Sequence, residues 1–195
     1  MPEFFWIANH RGLDLVNTEA ADQRGNRVDL LRDATDLLDW IEVAGIVPRA
    51  RLEEARARSS DPAVDELLRW TRQLRAAARQ LLDPAGTPTD QAVHRVDALV
   101  GAVPVRLAHP DIATDPPLAS RGDVFDELRL ALGRAVLDAL RLDRTYVRRC
   151  GGDRCILLFY DTSRTRSRRW CDMAVCGNRA KAAAHYHRHK RAVPQ

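Results

Sequence analysis

All four cysteines of this 195-residue chain lie in its last quarter, in the spacing C-x4-C-x15-C-x4-C. Two pairs that share one interval are typical of a metal site, and a structural zinc takes four such ligands as thiolates. A tail of about 50 residues buries too little apolar surface to fold around a core of its own. We therefore predict one structural Zn²⁺, bound by Cys150, Cys155, Cys171 and Cys176.

Two other uses of the four cysteines stay open at this point. They could pair as disulfides in three ways, although thiols are kept reduced in the cytoplasm. They could also bind an iron–sulfur cluster, although the tight C-x2-C-x2-C spacing is missing. We expect a cytoplasmic protein, because residues 1–7 show no signal-peptide pattern. We also expect no membrane partner, since the longest apolar run of the tail, Ile156–Tyr160, cannot span a bilayer.

Charge is divided unevenly along the chain. Residues 144–195 carry 13 Lys and Arg against three Asp, a net charge of +10, whereas residues 1–143 carry 18 against 24, a net charge of −6. A basic segment of this kind favours polyanionic partners. We interpret residues 1–143 and residues 144–195 as two domains that fold independently, the second of which faces nucleic acid.

Apolar periodicity predicts a mostly α-helical, α+β fold. Helices are predicted over residues 29–44, 49–58, 62–82, 88–100 and 123–142, with Asp61, Thr87 and Asp123 as capping residues. A short strand is predicted over residues 13–18, and short extended pieces over the proline-rich residues 103–121.

The tail is predicted to fold as a turn, a hairpin and a helix. A metal-binding turn over residues 150–155 leads into a strand over 156–160, which returns along residues 168–170. A helix then covers residues 174–190, and its first turn supplies Cys176. This order is that of a small treble-clef zinc finger.

From Cys150 to Lys190 the chain closely resembles the CGNR-type zinc finger. The matching pieces are the tetrapeptide Cys176-Gly177-Asn178-Arg179, the segments Leu158–Arg164 and Arg168–Met173, and Lys181. The front resembles the ABATE domain, which accompanies this finger in stress-induced bacterial transcription regulators. Its matching pieces are Leu13–Thr18 and Asp36–Trp40 followed by Gly45. The resemblance implies DNA binding by the finger and a ligand or signal role for the front.

Cationic side chains on the finger are the candidate nucleic-acid contacts. Guanidinium groups match phosphate oxygens, and arginine also reads guanine in the major groove. The alternatives are a solvated charged face around the metal, or an adaptor that binds an acidic protein; RNA could also replace DNA. The candidates are Arg164, Arg166, Arg168, Arg169, Asn178, Arg179, Lys181 and Arg188.

Polar residues near the front of the chain are the candidates for binding a small-molecule effector. Asp14, Asn17 and Thr18 lie at the end of the predicted strand, where they could instead satisfy neighbouring backbone groups. His185, His187 and His189 on the last helix could bind a second metal, or form an exposed polar end. No phosphate loop, nucleophile elbow or HExxH motif occurs, and we predict no catalytic residues and no enzyme activity.

Overall fold

A computed structural model of the chain describes residues 4–107, 118–120 and 122–192. In these ranges the fold is mostly helical, with short strands in two-stranded antiparallel sheets. The front half contains α1 (Arg11–Val16), β1 (Glu19–Ala21), β2 (Arg27–Asp29), α2 (Ala34–Ala44), α3 (Arg49–Ala57), α4 (Pro62–Leu82), α5 (Asp90–Gly101), β3 (Val105–Leu107), β4 (Leu118–Ser120) and α6 (Val124–Leu140). The tail contains β5 (Val147–Arg149), β6 (Leu158–Tyr160), a π-turn (Met173–Gly177) and α7 (Asn178–Ala192).

Helix α4 is the central element of the front half. The Asp61 side chain accepts a hydrogen bond from the Ala63 N–H at 2.9 Å, and Pro62 fits the first turn. Its apolar stripe, which includes Leu67 and Leu74, is fully buried. Helix α4 packs against α5 and α6, and α6 packs against α1. The core therefore continues from α4 through α6 to α1.

The predicted helices are confirmed, with shifts at three starts. Helix α7 begins at Asn178 and not at residue 174, because residues 173–177 form the π-turn, and Cys176 therefore lies before this helix and not in its first turn. Asp123 caps α6 as expected, whereas α5 begins later than predicted because Thr89, not Thr87, accepts from the Ala92 N–H at 3.2 Å. Helix α2 also begins late, because Asp33 caps it and residues 27–29 form strand β2. The extended pieces predicted in 103–121 include β3 and β4; residues 108–117 and 121 lie outside the described residues.

The strand predicted over residues 13–18 is wrong, because this segment forms helix α1. His10 caps the helix by accepting from the Gly12 N–H at 3.1 Å. Gly12 is required by packing, since a Cβ there would lie 2.1 Å from the carbonyl oxygen of Ala135 on α6. The helix is short and its residues 12–16 are all buried, so its apolar positions show no helical period.

The hairpin predicted in the tail is also wrong. Strand β6 pairs with β5, which precedes the metal-binding turn, and not with residues 168–170. The opposite edge of β6 is taken by the front of the chain, since the Tyr160 N–H donates to the Ala8 carbonyl at 2.9 Å. Residues 168–170 therefore pass beside the metal-binding turn, where the Arg169 carbonyl accepts from the Gly151 N–H at 2.8 Å.

A single apolar core crosses the predicted domain boundary. Leu158 and Phe159 of β6 are fully buried in the same cluster as Leu13 and Leu15 of α1. We therefore expect the unfolding of the two halves to be coupled, in contrast to the independent folding that the charge division suggests. Among the described residues, no helix is both long and apolar enough to cross a membrane.

Candidate metal centre

The four cysteine sulfur atoms converge on one point. They all lie within 4.8 Å of one another, with Sγ–Sγ distances of 3.7 Å from Cys155 to Cys171 and 3.5 Å from Cys171 to Cys176. A tetrahedral zinc with bonds of about 2.3 Å places its sulfur ligands about 3.8 Å apart. The four thiols are therefore close enough to bind one zinc ion together.

Local backbone hydrogen bonds place each ligand. Cys150 ends β5, and its N–H donates to the Leu157 carbonyl at 2.9 Å across the turn that also carries Cys155. The Cys171 N–H donates to the Cys150 Sγ at 3.3 Å, which links the two ligand pairs. Cys176 lies in the π-turn, where its N–H donates to the Asp172 carbonyl at 3.0 Å.

The glycine of the CGNR tetrapeptide is required by a close contact. A Cβ on Gly177 would lie 2.3 Å from the Sδ atom of Met173 and 3.1 Å from Cδ1 of Trp170. Trp170 also lies against Gly151 in the metal-binding turn, so the indole contacts both this turn and Gly177. Phe159 is fully buried in the core.

The thiols need a cation in order to ionise together. Hydrogen bonding to the Cys150 sulfur raises the pKa of Cys155 to about 12 and raises the pKa of Cys171 well above its usual value. Burial raises the pKa of Cys176 as well. A divalent ion would lower this cost, because its two positive charges offset half of the negative charge of four thiolates. Four protein ligands fill its coordination shell, which fits a structural ion.

The side chain of Asn17 joins the finger to α1. Its Nδ2 donates to the Leu158 carbonyl and its Oδ1 accepts from the Leu158 N–H, both at 2.8 Å. Thr18 is also engaged within the protein, since its hydroxyl donates to the Leu15 carbonyl and accepts from Arg75. Asp14 accepts from the Ala8 N–H at 3.0 Å. The three candidate effector residues thus lie in the core, and their named polar atoms bind protein groups.

Arg79 connects the front half to the metal-binding turn, a role that the sequence did not indicate. This buried arginine of α4 donates to the carbonyls of Val16 and Glu19 in the front half, at 2.7 and 2.8 Å. It also donates to the Ile156 carbonyl, one residue after the ligand Cys155, at 2.8 Å. Burial lowers its pKa to about 10, which leaves it charged at neutral pH. The only sign of this role in the sequence was the position of an arginine on the apolar face of a predicted helix.

Two of the candidate nucleic-acid residues make contacts within the protein, although Arg166 remains exposed and Arg168 is half-buried. The Arg168 guanidinium donates to the carbonyls of Ile7, Trp170 and Cys171 and stacks over the Phe159 ring at 4.2 Å. Arg166 donates to the Asp161 carbonyl and lies 4.3 Å from the centre of the Tyr146 ring. These contacts organise the loop between β6 and Cys171.

The other described candidates are exposed. They are Arg164, Arg169, Asn178, Arg179 and Lys181. Arg169 stacks on Trp170, with its guanidinium carbon 5.1 Å from the ring centre. Arg179 lines an open cleft of about 590 Å³ between α7 and the metal-binding turn. The side chains of Arg188, His187 and His189 lie outside the described residues.

Comparison with known proteins agrees with this arrangement. The model of the CGNR zinc finger matches residues 146–189. The model of the ABATE family, described as "Putative stress-induced transcription regulator", matches residues 9–145. A search of curated protein sequences gives no significant match. The ABATE match covers well over half of the chain. The chain therefore belongs to the ABATE family, and it carries a C-terminal CGNR zinc finger.

Proposed function

We propose that this protein is a zinc-dependent, DNA-binding transcription regulator. The observation that carries the proposal is the exposure of candidate cations on the zinc-organised finger, among them Arg164, Arg169, Arg179 and Lys181. They lie on a segment of net charge +10, joined to a front half of net charge −6. Opposite charges on the two halves favour a finger that faces the phosphate backbone and a front that faces away from it.

Zinc contributes to this function by holding the finger in shape. A zinc ion would be held by Cys150, Cys155, Cys171 and Cys176, would offset part of their negative charge and would fix their positions. The chain then orients the cations: Asp172 accepts from the N–H groups of Ala174 and Val175 at the start of the π-turn, and thereby directs α7. We propose no catalytic role for the centre. Ligands that must stay reduced support a cytoplasmic location.

The front half is proposed to respond to stress or to a metabolite, as the family description suggests. Asp14, Asn17 and Thr18 would contribute through the packing of α1, because their polar atoms are engaged within the protein. A signal that moves α1 would act directly on β6, which shares its core. The finger would then change its position or its stability.

The test of DNA binding uses the zinc-loaded full chain and a fluorescent 30-base-pair duplex of mixed sequence. Phosphate contacts by Arg164, Arg169, Arg179 and Lys181 predict a plot of log K against log salt with a slope of about −3.6. Arg169→Ala and Arg179→Ala should each weaken binding and reduce the slope by about 0.9. Arg69→Ala is the matched control, because Arg69 is exposed on α4 of the front half.

Three results would contradict the proposal. The first is no binding at 50 mM salt, and the second is a slope near zero. The third is equal binding after zinc is removed by a chelator. Binding to an acidic protein with no binding to the duplex would favour the adaptor function instead.

A further inference from the structure

Helix α7 projects from the finger with little protein around it. Among residues 178–186 of this helix, all except Ala180 are exposed. Few of its side chains pack against the rest of the protein, so it gains little stability from tertiary packing. Its inner side, with Ala180 and Ala183, borders the cleft beside the metal-binding turn. Its outer side faces solvent.

Two apolar side chains lie exposed at the base of this helix. Met173 is 47% exposed and Val175 is 53% exposed, both in the π-turn that also supplies Cys176. The sulfur of Met173 lies over Gly177. The backbone of Val175 is held, since its N–H donates to the Asp172 carboxylate at 3.1 Å. Exposed apolar groups on a held backbone are suited to a contact with a partner.

Exposed cations lie on both sides of this apolar pair along the chain. Arg169 lies just before it in the chain, and Arg179 and Lys181 follow it, all three exposed. The partner that covers the pair must therefore be anionic at its edges and apolar within. Duplex DNA has this pattern in its major groove, where phosphates flank the 5-methyl groups of thymine. The groove is about 12 Å wide and admits a helix with a diameter of 10–12 Å.

We propose that the π-turn and the start of α7 enter the major groove of DNA, where Val175 and Met173 of the π-turn contact thymine methyl groups. This inference rests on the proposed DNA binding and adds the element that reads the sequence. Arg169, Arg179 and Lys181 hold the flanking phosphates. The apolar pair then favours sites with thymine at the centre of the contact.

The test compares two alternating 24-base-pair duplexes, one built from adenine and thymine and the other from adenine and uracil. The second lacks only the methyl groups of the major groove. We expect the zinc-loaded chain to bind the uracil duplex about fourfold more weakly for each methyl contact. Val175→Ala should weaken binding to the thymine duplex and reduce the difference between the two duplexes.

The matched control is Val93→Ala, because Val93 is 51% exposed but lies on α5 of the front half. It should leave both affinities unchanged. Equal zinc content in wild type and Val175→Ala excludes a folding defect. If both duplexes bind equally, or if Val175→Ala keeps the full difference, the inference is overturned while DNA binding stands. If neither duplex binds at low salt, the proposed function fails.

Discussion

The side chain of Asn17 pairs with the main chain of Leu158 as a neighbouring strand would. One amide group donates to the carbonyl and accepts from the N–H of the same residue, both at 2.8 Å. Both residues are buried, and they lie 141 positions apart. The end of α1 thereby completes the free edge of β6, and the front half becomes part of the finger.

Removal of this pair should destabilise the whole chain. Asn17→Ala leaves the N–H and the carbonyl of Leu158 buried without partners, at a cost of about 2 to 5 kcal/mol in the free energy of unfolding. Urea unfolding of the zinc-loaded protein measures this change. Asn178→Ala, at an exposed position, should change the free energy by less than about 0.5 kcal/mol. Equal effects of the two variants would show that the Asn17 contact is dispensable.

Arg79 should contribute more than Asn17 to the free energy of unfolding. Arg79→Met keeps much of the apolar stem but removes the donors to Val16, Glu19 and Ile156. The carbonyls and the Glu19 carboxylate, 3.3 Å from the guanidinium, are then left without this partner. We expect a loss of about 3 kcal/mol or more in the free energy of unfolding. The control is Arg69→Met on the exposed side of α4, and comparable losses for both would contradict this role.

Loss of zinc should destabilise the front half as well as the finger. The Ile156 carbonyl and β6 are held in place by the metal-binding turn, and both contact the front half. We expect Cys171→Ser to lower the thermal midpoint of the helical circular-dichroism signal, most of which comes from the front half. An unchanged midpoint would show two independent domains, as the charge division alone suggests.

Stability should fall as the pH rises through the titration of Asp14. Burial raises the pKa of this carboxyl from 3.8 to about 6, against the hydrogen bond from Ala8 and the charge of Arg11, which both lower it. The folded state therefore binds the proton more tightly than the unfolded state between pH 3.8 and 6. The ionised form costs about 3 kcal/mol of stability above pH 6.

The Asp14→Asn variant tests this dependence. It keeps an oxygen that can accept from the Ala8 N–H and removes the charge. We expect the variant to gain stability relative to wild type as the pH rises from 4.5 to 6.5, with little further gain above that. Other groups titrate equally in both proteins, so the difference between them isolates Asp14. A difference that stays constant with pH would contradict the prediction.

The sequence predicted the features that depend on nearby residues. Cysteine spacing was enough to predict the metal ligands, because thiolates at paired intervals have few other uses in a reduced chain. Capping residues such as Asp61 and Asp123 were enough to predict where their helices begin, since a cap acts within three residues. These predictions needed no knowledge of tertiary packing.

Features that depend on distant residues were not predictable. Helix α1 is buried on all sides, and its glycine is explained only by Ala135 on another helix. The pairing of β6 depends on Asn17, which lies in the front half. Arg168 and Arg169 are adjacent and identical in type, yet one is bound to three carbonyls while the other is exposed. Only tertiary structure separates the structural arginine from the available one.

Metal analysis of purified, reduced protein tests the central claim most directly. The convergence of four thiols within 4.8 Å predicts one zinc ion per chain, and half or less of that content in Cys150→Ser and Cys176→Ser. Wild-type protein with no stoichiometric zinc, or with iron in its place, would contradict the account.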